Sequence, residues 1–423
     1  MSASPLFTRS QRRCHLLLLL FLPAPVLTPE KLCQINRVDA GVAREDIVAV
    51  GEEIQRFYQL ELHQMVDGSL RIHGTELNRR ICLIHALRRA LRLSREFVCQ
   101  AFSTPLRQRL KLLKVEKALY DDTNLQALIH HCELRLGREF NERDQVFLQL
   151  YFKFVLCQRH TPLFSAAQQQ WLAQKPERSA AEDVVRHWQK RSHLIPGEGE
   201  TDFGTLLFAL MHAPTPDSLH HPCGVRLRQA VTRLIAHFEQ EAGTLFKQRG
   251  ELRQQLYTHL AQALDRSYFA IGIDNSVALD VAQLYPRLLR TTQVALQAFE
   301  AGYQVTLSEE EVSLVAVIFG AWLMQDNALQ EKQVLLLTHE DAEAERALER
   351  QIREITLLPF TLRYQDLDDF QQQGAPDEID LVVTPYMTSL PLYSPPLILA
   401  QVPLTDEQQM HIRQLLDSGY ARS

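Results

Sequence analysis

Residues 252–266, LRQQLYTHLAQALDR, place one histidine and one arginine seven residues apart on a strongly helical stretch. Seven residues is nearly two turns, so His259 and Arg266 project from one stripe, their Cα atoms roughly 10 Å apart along the axis. An imidazole nitrogen accepts a phosphoryl group, and a guanidinium, always cationic with a planar fork of donors, neutralises the charge that arrives. The pair therefore admits a phosphohistidine switch. It also admits an ordinary amphipathic helix with Leu252, Leu256, Leu260 and Leu264 inward and His259 flanking that face.

Other groups of reactive side chains lead less far. His130, His131 and Cys132 are adjacent, as are His220, His221 and Cys223, and Cys157 lies near His160. Neighbours on a helix point about 100° apart and do not easily share an ion, so no metal site is expected. GxSxG, P-loop, GxGxxG and HExxH patterns are absent,. The carboxylates between residues 340 and 354 read as a solvated helix face. Neither catalytic residues nor a cofactor is expected, and the chain does not read as an enzyme.

The chain has 423 residues and a formal net charge of −6, which predicts no general attraction to nucleic acid or anionic membrane,. That average conceals a basic stretch over residues 79–117, with eleven Lys and Arg against two Glu. Arg79, Arg80, Arg88, Arg89, Arg92 and Arg95 lead it. Such a run is either a nucleic-acid-contacting surface or a solvated cationic face. The seven cysteines are an odd number, dispersed and without a CxxC pair, which suits a reducing cytoplasm,. Arg12 and Arg13 precede the apolar run 16–22, in partial imitation of a signal peptide. The run is too short to span a bilayer, so a buried first helix is the expectation and membrane insertion is not.

The elements around these residues follow from periodicity. Thr28 and Pro29 mark an N-cap and first helical position. Ile47, Val50, Ile54 and Phe57 recur at helical spacing, and Asp67-Gly68 sits between two short β-prone runs. Three helices and a hairpin over residues 1–75 predict a winged helix-turn-helix. Its third helix carries Arg44 and Arg56 but also Glu45, Asp46, Glu52 and Glu53, which oppose phosphate contact. Residues 76–118 form a basic helical region, in one reading a second helix-turn-helix. Helical patterns dominate 124–324, and Ser308 with Glu311 reads as a capping box. From residue 332 strands alternate with helices, which predicts a small parallel α/β sheet. Its first strand-to-helix loop, Thr338-His-Glu-Asp, is acidic and without glycine, a poor phosphate cradle.

LYTHLAQALDR, LYPRLLRTT and SEEEVSLVAVIFGAWL together resemble the transcriptional regulators that carry PTS regulation domains (PRDs), through which the sugar phosphotransferase system controls transcription. The resemblance extends over nearly the whole chain. It implies a mainly α protein: a winged helix, PRD modules at 119–223 and 224–331, and an enzyme IIB-like α/β domain at 332–423. It also implies that His259 is phosphorylated by HPr or a sugar-specific enzyme II, and that Arg266 contacts the phosphate. Three further acceptor positions of such modules hold other residues here. Ile318, seven after Glu311, stands at the second; Tyr151 or Phe152 and Leu207 or Phe208 stand at those of the first module. Thr338 and His339 replace the nucleophilic cysteine of enzyme IIB. The expected protein is a cytoplasmic, homodimeric regulator switched at His259, with DNA as a partner. A scaffold for phosphotransferase proteins that binds no DNA, or an RNA-binding antiterminator, are the alternatives.

Overall fold

The computed structural model describes residues 7–22, 26–191, 199–212, 222–273, 277–327, 331–339, 341–357, 360–389 and 394–417. Its contacts divide the chain into two units, residues 1–213 with 268–272, and residues 214–267 with 273–423. His220, His221, Pro23 to Pro25 and Glu340 lie outside the described residues.

The first unit opens with α1 (Arg9–Leu19), capped by Thr8, whose hydroxyl accepts from Gln11 N–H while Gln11 returns a bond to the Thr8 backbone. Leu16, Leu17 and Leu18 are almost wholly buried, so the apolar run forms core. Next come α2 (Pro29–Asn36), capped by Thr28 with Pro29 at its start, and α3 (Ala40–Tyr58), capped by Asp39. Arg12 and Arg13 of α1 both reach the buried Asp46 of α3, at 2.8 and 3.2 Å. Asp46 thus serves as a clamp between helices rather than as an acid facing outward. Strands β1 (Glu61–Gln64) and β2 (Leu70–His73) pair antiparallel through a turn at Asp67-Gly68, where Gly68 takes a positive φ of 78°.

The basic stretch is helical, as expected. It comprises α4 (Glu76–Leu93), the single turn α5 (Arg95–Phe97), a π-turn at Val98–Ser103 and α6 (Thr104–Leu112). A helical module follows, with α7 (Asp122–Leu136), α8 (Glu142–Val155), α9 (Ala166–Ala173), α10 (Arg178–Arg191) and α11 (Gly199–Leu210).

The second unit begins with five helices, α12 (Pro222–Ala242), α13 (Arg249–Tyr268), α14 (Val277–Leu284), α15 (Pro286–Tyr303) and α16 (Glu309–Asn327). The two modules share a local device. In the first, Gly137 (φ 63°) ends α7 and the Glu133 carboxylate accepts from the Phe140 N–H at 2.8 Å. In the second, Gly243 (φ 70°) follows α12 and Glu239 accepts from the Phe246 N–H at 2.9 Å. Both corners need the left-handed backbone that glycine adopts without strain. A carboxylate then satisfies a backbone donor that the turn leaves unpaired.

This shared corner fixes a register between the modules. Tyr151 matches Tyr257, and Lys153 falls opposite His259. On that register Lys153, rather than the expected Tyr151 or Phe152, takes the place of His259. Sequence spacing alone lacked the anchor that the carboxylate corner supplies.

The last part of the second unit is a four-stranded sheet in the order β4-β3-β5-β6, parallel throughout. Its elements are β3 (Lys332–Thr338), α17 (Ala342–Ile355), β4 (Phe360–Asp366), α18 (Leu367–Gln373), β5 (Leu381–Thr384), β6 (Leu397–Leu399) and α19 (Asp406–Asp417). Val334 and Leu336 point to one face, packing with Leu348 and Ile352 of α17 and Ile412 of α19. Leu335 and Leu337 point to the other, with Phe370 of α18. Both faces are covered, which is why β3 reads as an unbroken apolar run rather than an alternating one.

Candidate functional site

Leu252, Leu256, Leu260 and Leu264 are all buried, so α13 presents the expected apolar stripe. His259 lies beside that stripe with its side chain 16% exposed, and Arg266 is similar at 18%. Both face α16. There the Glu311 carboxylate takes a two-pronged contact from Arg266, Nε on Oε1 and Nη2 on Oε2 at 3.1 Å. His259 Nε2 stands 3.1 Å from the same Oε2. The two atoms are close without an aligned hydrogen bond between them, and Nε2 has no solvent-exposed surface.

The helices are held in antiparallel register. Trp322 Nε1 donates to Gln255 Oε1 at 2.7 Å, and eleven residues on along α13, eleven back along α16, Arg266 meets Glu311. Phe319 of α16 stacks on Phe238 of α12 at 3.9 Å between centroids, fixing α16 against the core. Burial raises the Glu311 carboxyl, but its contacts with His259 and Arg266 and the charge of Arg266 outweigh that and hold it below the ordinary carboxylate value,.

Glu311 departs from one expectation. Its backbone N–H does bond the Ser308 hydroxyl, at 3.3 Å, as a capping box requires. Its side chain turns instead to Arg266 and His259, since a charged partner attracts a carboxylate more strongly than a neutral N–H. Ile318 shares an open depression with His259, bordered by Gln255, Thr258 and Gln262. An apolar side chain thus faces the imidazole where the second acceptor was expected.

In the first module, Lys153 is buried and paired with Asp122, which also meets Arg107. Burial raises the Asp122 carboxyl, and the two cations outweigh that and hold it low. Leu207 and Phe208 are buried apolar side chains. A buried lysine paired with a carboxylate and a packed apolar core thus occupy these positions of the first module.

The arginines proposed for nucleic acid divide. Arg80 is fully buried, bonded to Glu200 by two nitrogens at 2.7 and 2.9 Å and to Glu76 at 2.8 Å. It cannot reach a phosphate, and it is withdrawn from the candidates. Arg88 meets Asp144 at 3.4 Å, Arg89 meets Glu53 at 2.8 Å and Arg95 meets Glu142 at 2.6 Å. Arg79 lies 3.9 Å from Glu76. Arg44 and Arg92 are exposed.

At the carboxyl end of β3, the loop that would cradle phosphate is already filled. Tyr386 accepts from the Asp341 N–H and donates to Glu345, and the His339 N–H also bonds Glu345. Among the described residues no group of three or more His, Cys, Asp or Glu is placed to hold a metal. His131 pairs instead with Asp183 and His130 with Glu133.

Two families match this geometry. Residues 232–322 match the PRD domain, a span that takes in His259, Arg266, Glu311 and Ile318. Residues 332–416 match the C-terminal domain of the stationary phase-inducible protein CsiE, and so cover the whole parallel sheet. The stationary phase-inducible protein CsiE of Escherichia coli (strain K12) is 46% identical over 412 residues, 97% of each chain. The chain belongs to the CsiE family. Membership, with a PRD domain inside it, points to a regulatory rather than a catalytic protein and to regulation linked with the phosphotransferase system. No helix among the described residues is long and apolar enough to cross a membrane.

Sequence reasoning found His259 and Arg266 but missed that Glu311 joins them. The signal was present in Ser-Glu-Glu-Glu at 308–311, where the third acid, still in the first turn of the helix, can point inward. Lys153 was missed for want of the Glu-Gly-Phe anchor.

Proposed function

We propose that this CsiE family member is a cytoplasmic, transcription-regulator-like protein, homodimeric, whose activity follows phosphorylation of His259 by the phosphotransferase system. The observation that carries the reading is the convergence of His259 and Arg266 on one carboxylate inside the PRD match. An imidazole beside a cation is equipped to take a phosphoryl group and keep it, since the added charge of about −1.5 to −2 meets a guanidinium at once. HPr or a sugar-specific enzyme II is the donor. On this reading residues 1–75 act as a winged helix, 119–223 as a PRD module without acceptors, and 332–423 as an enzyme IIB-like domain that relays no phosphate.

Purified protein incubated with phosphoenolpyruvate, enzyme I and HPr gains one acid-labile phosphate, and His259→Ala gains none. The same assay with sugar-specific enzymes II covers the other donors. No incorporation from any of them overturns the reading.

A specific observation favours a second reading, a scaffold that binds phosphotransferase proteins without DNA. Arg80, Arg88, Arg89 and Arg95, four of the arginines that lead the basic stretch, are engaged with carboxylates rather than held ready for phosphate. An RNA-binding antiterminator would need the same arginines. Retention of genomic DNA fragments across salt concentrations separates the readings: a regulator loses affinity steeply as salt rises, and a scaffold retains nothing at any salt.

A further inference from the structure

We propose that the Glu311 carboxylate is the resting occupant of the phosphoryl position, so that phosphorylation of His259 exchanges one anion for another on Arg266 and frees the start of α16. The inference rests on the reading of His259 as a phosphoryl acceptor.

Oε2 of Glu311 lies 3.1 Å from His259 Nε2 and 3.1 Å from Arg266 Nη2, between the nitrogen that would carry the phosphate and the guanidinium that would hold it. A phosphoryl oxygen on Nε2 would need that same place. Two anions cannot share it, because like charges at such a distance repel strongly when water is largely excluded. The phosphoryl group, with nearly twice the charge and three acceptor oxygens, is the stronger partner for the guanidinium. Glu311 is then the group that leaves, toward the open depression bordered by Gln255 and Gln262.

The same carboxylate also shields the acceptor. Nε2 is sealed from solvent and the Glu311 carboxylate lies 3.1 Å from it, so on this proposal a donor reaches the ring once Glu311 swings aside. In the transfer, the donor's N–P bond breaks and its electron pair returns to the donor imidazole. The Nε2 lone pair of His259 forms the new N–P bond, and the ring's proton stays on Nδ1.

Release of Glu311 acts directly on α16. Glu309, Glu310 and Glu311 form its first turn, and the Ser308 hydroxyl caps it through Glu311 N–H. The Arg266 contact is what ties this turn to α13. Once untied, it frays more readily. Glu311 is a positioning residue, and it makes phosphorylation legible as a change in helix order.

Wild type, Glu311→Gln and His259→Ala are treated with phosphoramidate, a small chemical donor, and separately with phosphoenolpyruvate, enzyme I and HPr. Loading is followed by phosphorus NMR at alkaline pH, and amide exchange by mass spectrometry over residues 305–315. Glu311→Gln should load His259 about tenfold faster from phosphoramidate, equivalent to roughly 1.4 kcal/mol in the barrier. Amides of the first turn of α16 should exchange faster in phosphorylated wild type and in unphosphorylated Glu311→Gln alike. Glu311→Asp, which keeps the charge on a shorter arm, should fall between the two.

Equal or slower loading of Glu311→Gln, with circular dichroism unchanged, overturns the exchange. So does phosphate on Nδ1, or unaltered amide exchange in phosphorylated wild type. If Glu311→Gln fails to fold, the site of phosphate and the exchange of phosphorylated wild type still decide. Loading by phosphoramidate but by no phosphotransferase protein would remove the proposed function and leave the exchange standing. No loading of either protein by any donor removes both.

Discussion

At the scale of single residues, the site depends on how many partners one carboxylate can serve. Glu311 serves two, so the loss of either partner is felt by the other. With Arg266→Ala the phosphorylated fraction of His259 in balance with its donor should fall by about tenfold or more, since hydrogen bonds to charged groups contribute roughly 1.5–3 kcal/mol. Quantitative phosphohistidine analysis of the variant checks this. A second histidine reports on the first unit. His15 is fully buried, stacked on Phe97 at 3.7 Å, with Nδ1 3.1 Å from Asn36 Oδ1 and no bonding partner for Nε2. Burial lowers its affinity for a proton below the ordinary value of 6.5, and the Asn36 contact offsets only part of that. The unfolded chain therefore binds more protons as pH falls through 6.5, and stability falls with it, by at most about 1.4 kcal/mol per pH unit,. Urea denaturation at pH 7.5 and 5.5 should show this loss, and His15→Phe should reduce it. The residue scale was partly legible in sequence. Spacing alone placed His259 and Arg266 on one stripe, because helical periodicity is local. The Glu311 bridge spans 45 residues between α13 and α16, and no local pattern reports such a contact.

At the scale of elements, the basic helix α4 changes meaning once its partners are known. Its arginines read as a surface for nucleic acid, yet Arg80 is an internal strut linking α4 to α11 through Glu200. Arg80→Ala would leave that carboxylate buried without its cation, a loss of about 3–5 kcal/mol that urea denaturation can measure. Arg44→Ala and Arg92→Ala, at exposed sites, should change stability by no more than about 0.5 kcal/mol. If the chain binds DNA, these two should lessen its salt dependence. The four strands of the C-terminal sheet and its two longer helices were legible, because apolar runs and amphipathic stretches alternate there, whereas the short α18 (Leu367–Gln373) was not,. The module register was not legible. It depends on Glu133 and Glu239, which act through backbone bonds seven residues on, and it puts Lys153 rather than an aromatic residue opposite His259.

At the scale of the whole molecule, the losses form a pattern. Lys153 is buried against Asp122, Ile318, Leu207 and Phe208 are apolar, and Tyr386 and Glu345 fill the loop after β3. If the proposed function holds, these four places carry no phosphate and His259 with Arg266 is left as the single input. Light scattering of the unphosphorylated and phosphorylated forms should show a tighter dimer in the phosphorylated form if the input works through association, and an unchanged one contradicts that route. The phosphohistidine switch is tested by the mass of the intact protein after phosphoenolpyruvate, enzyme I and HPr, followed by fragmentation at alkaline pH. One added phosphoryl group is expected, located on His259 and absent from His259→Ala. A phosphoryl group on any other residue, or none with any phosphotransferase donor, would contradict it.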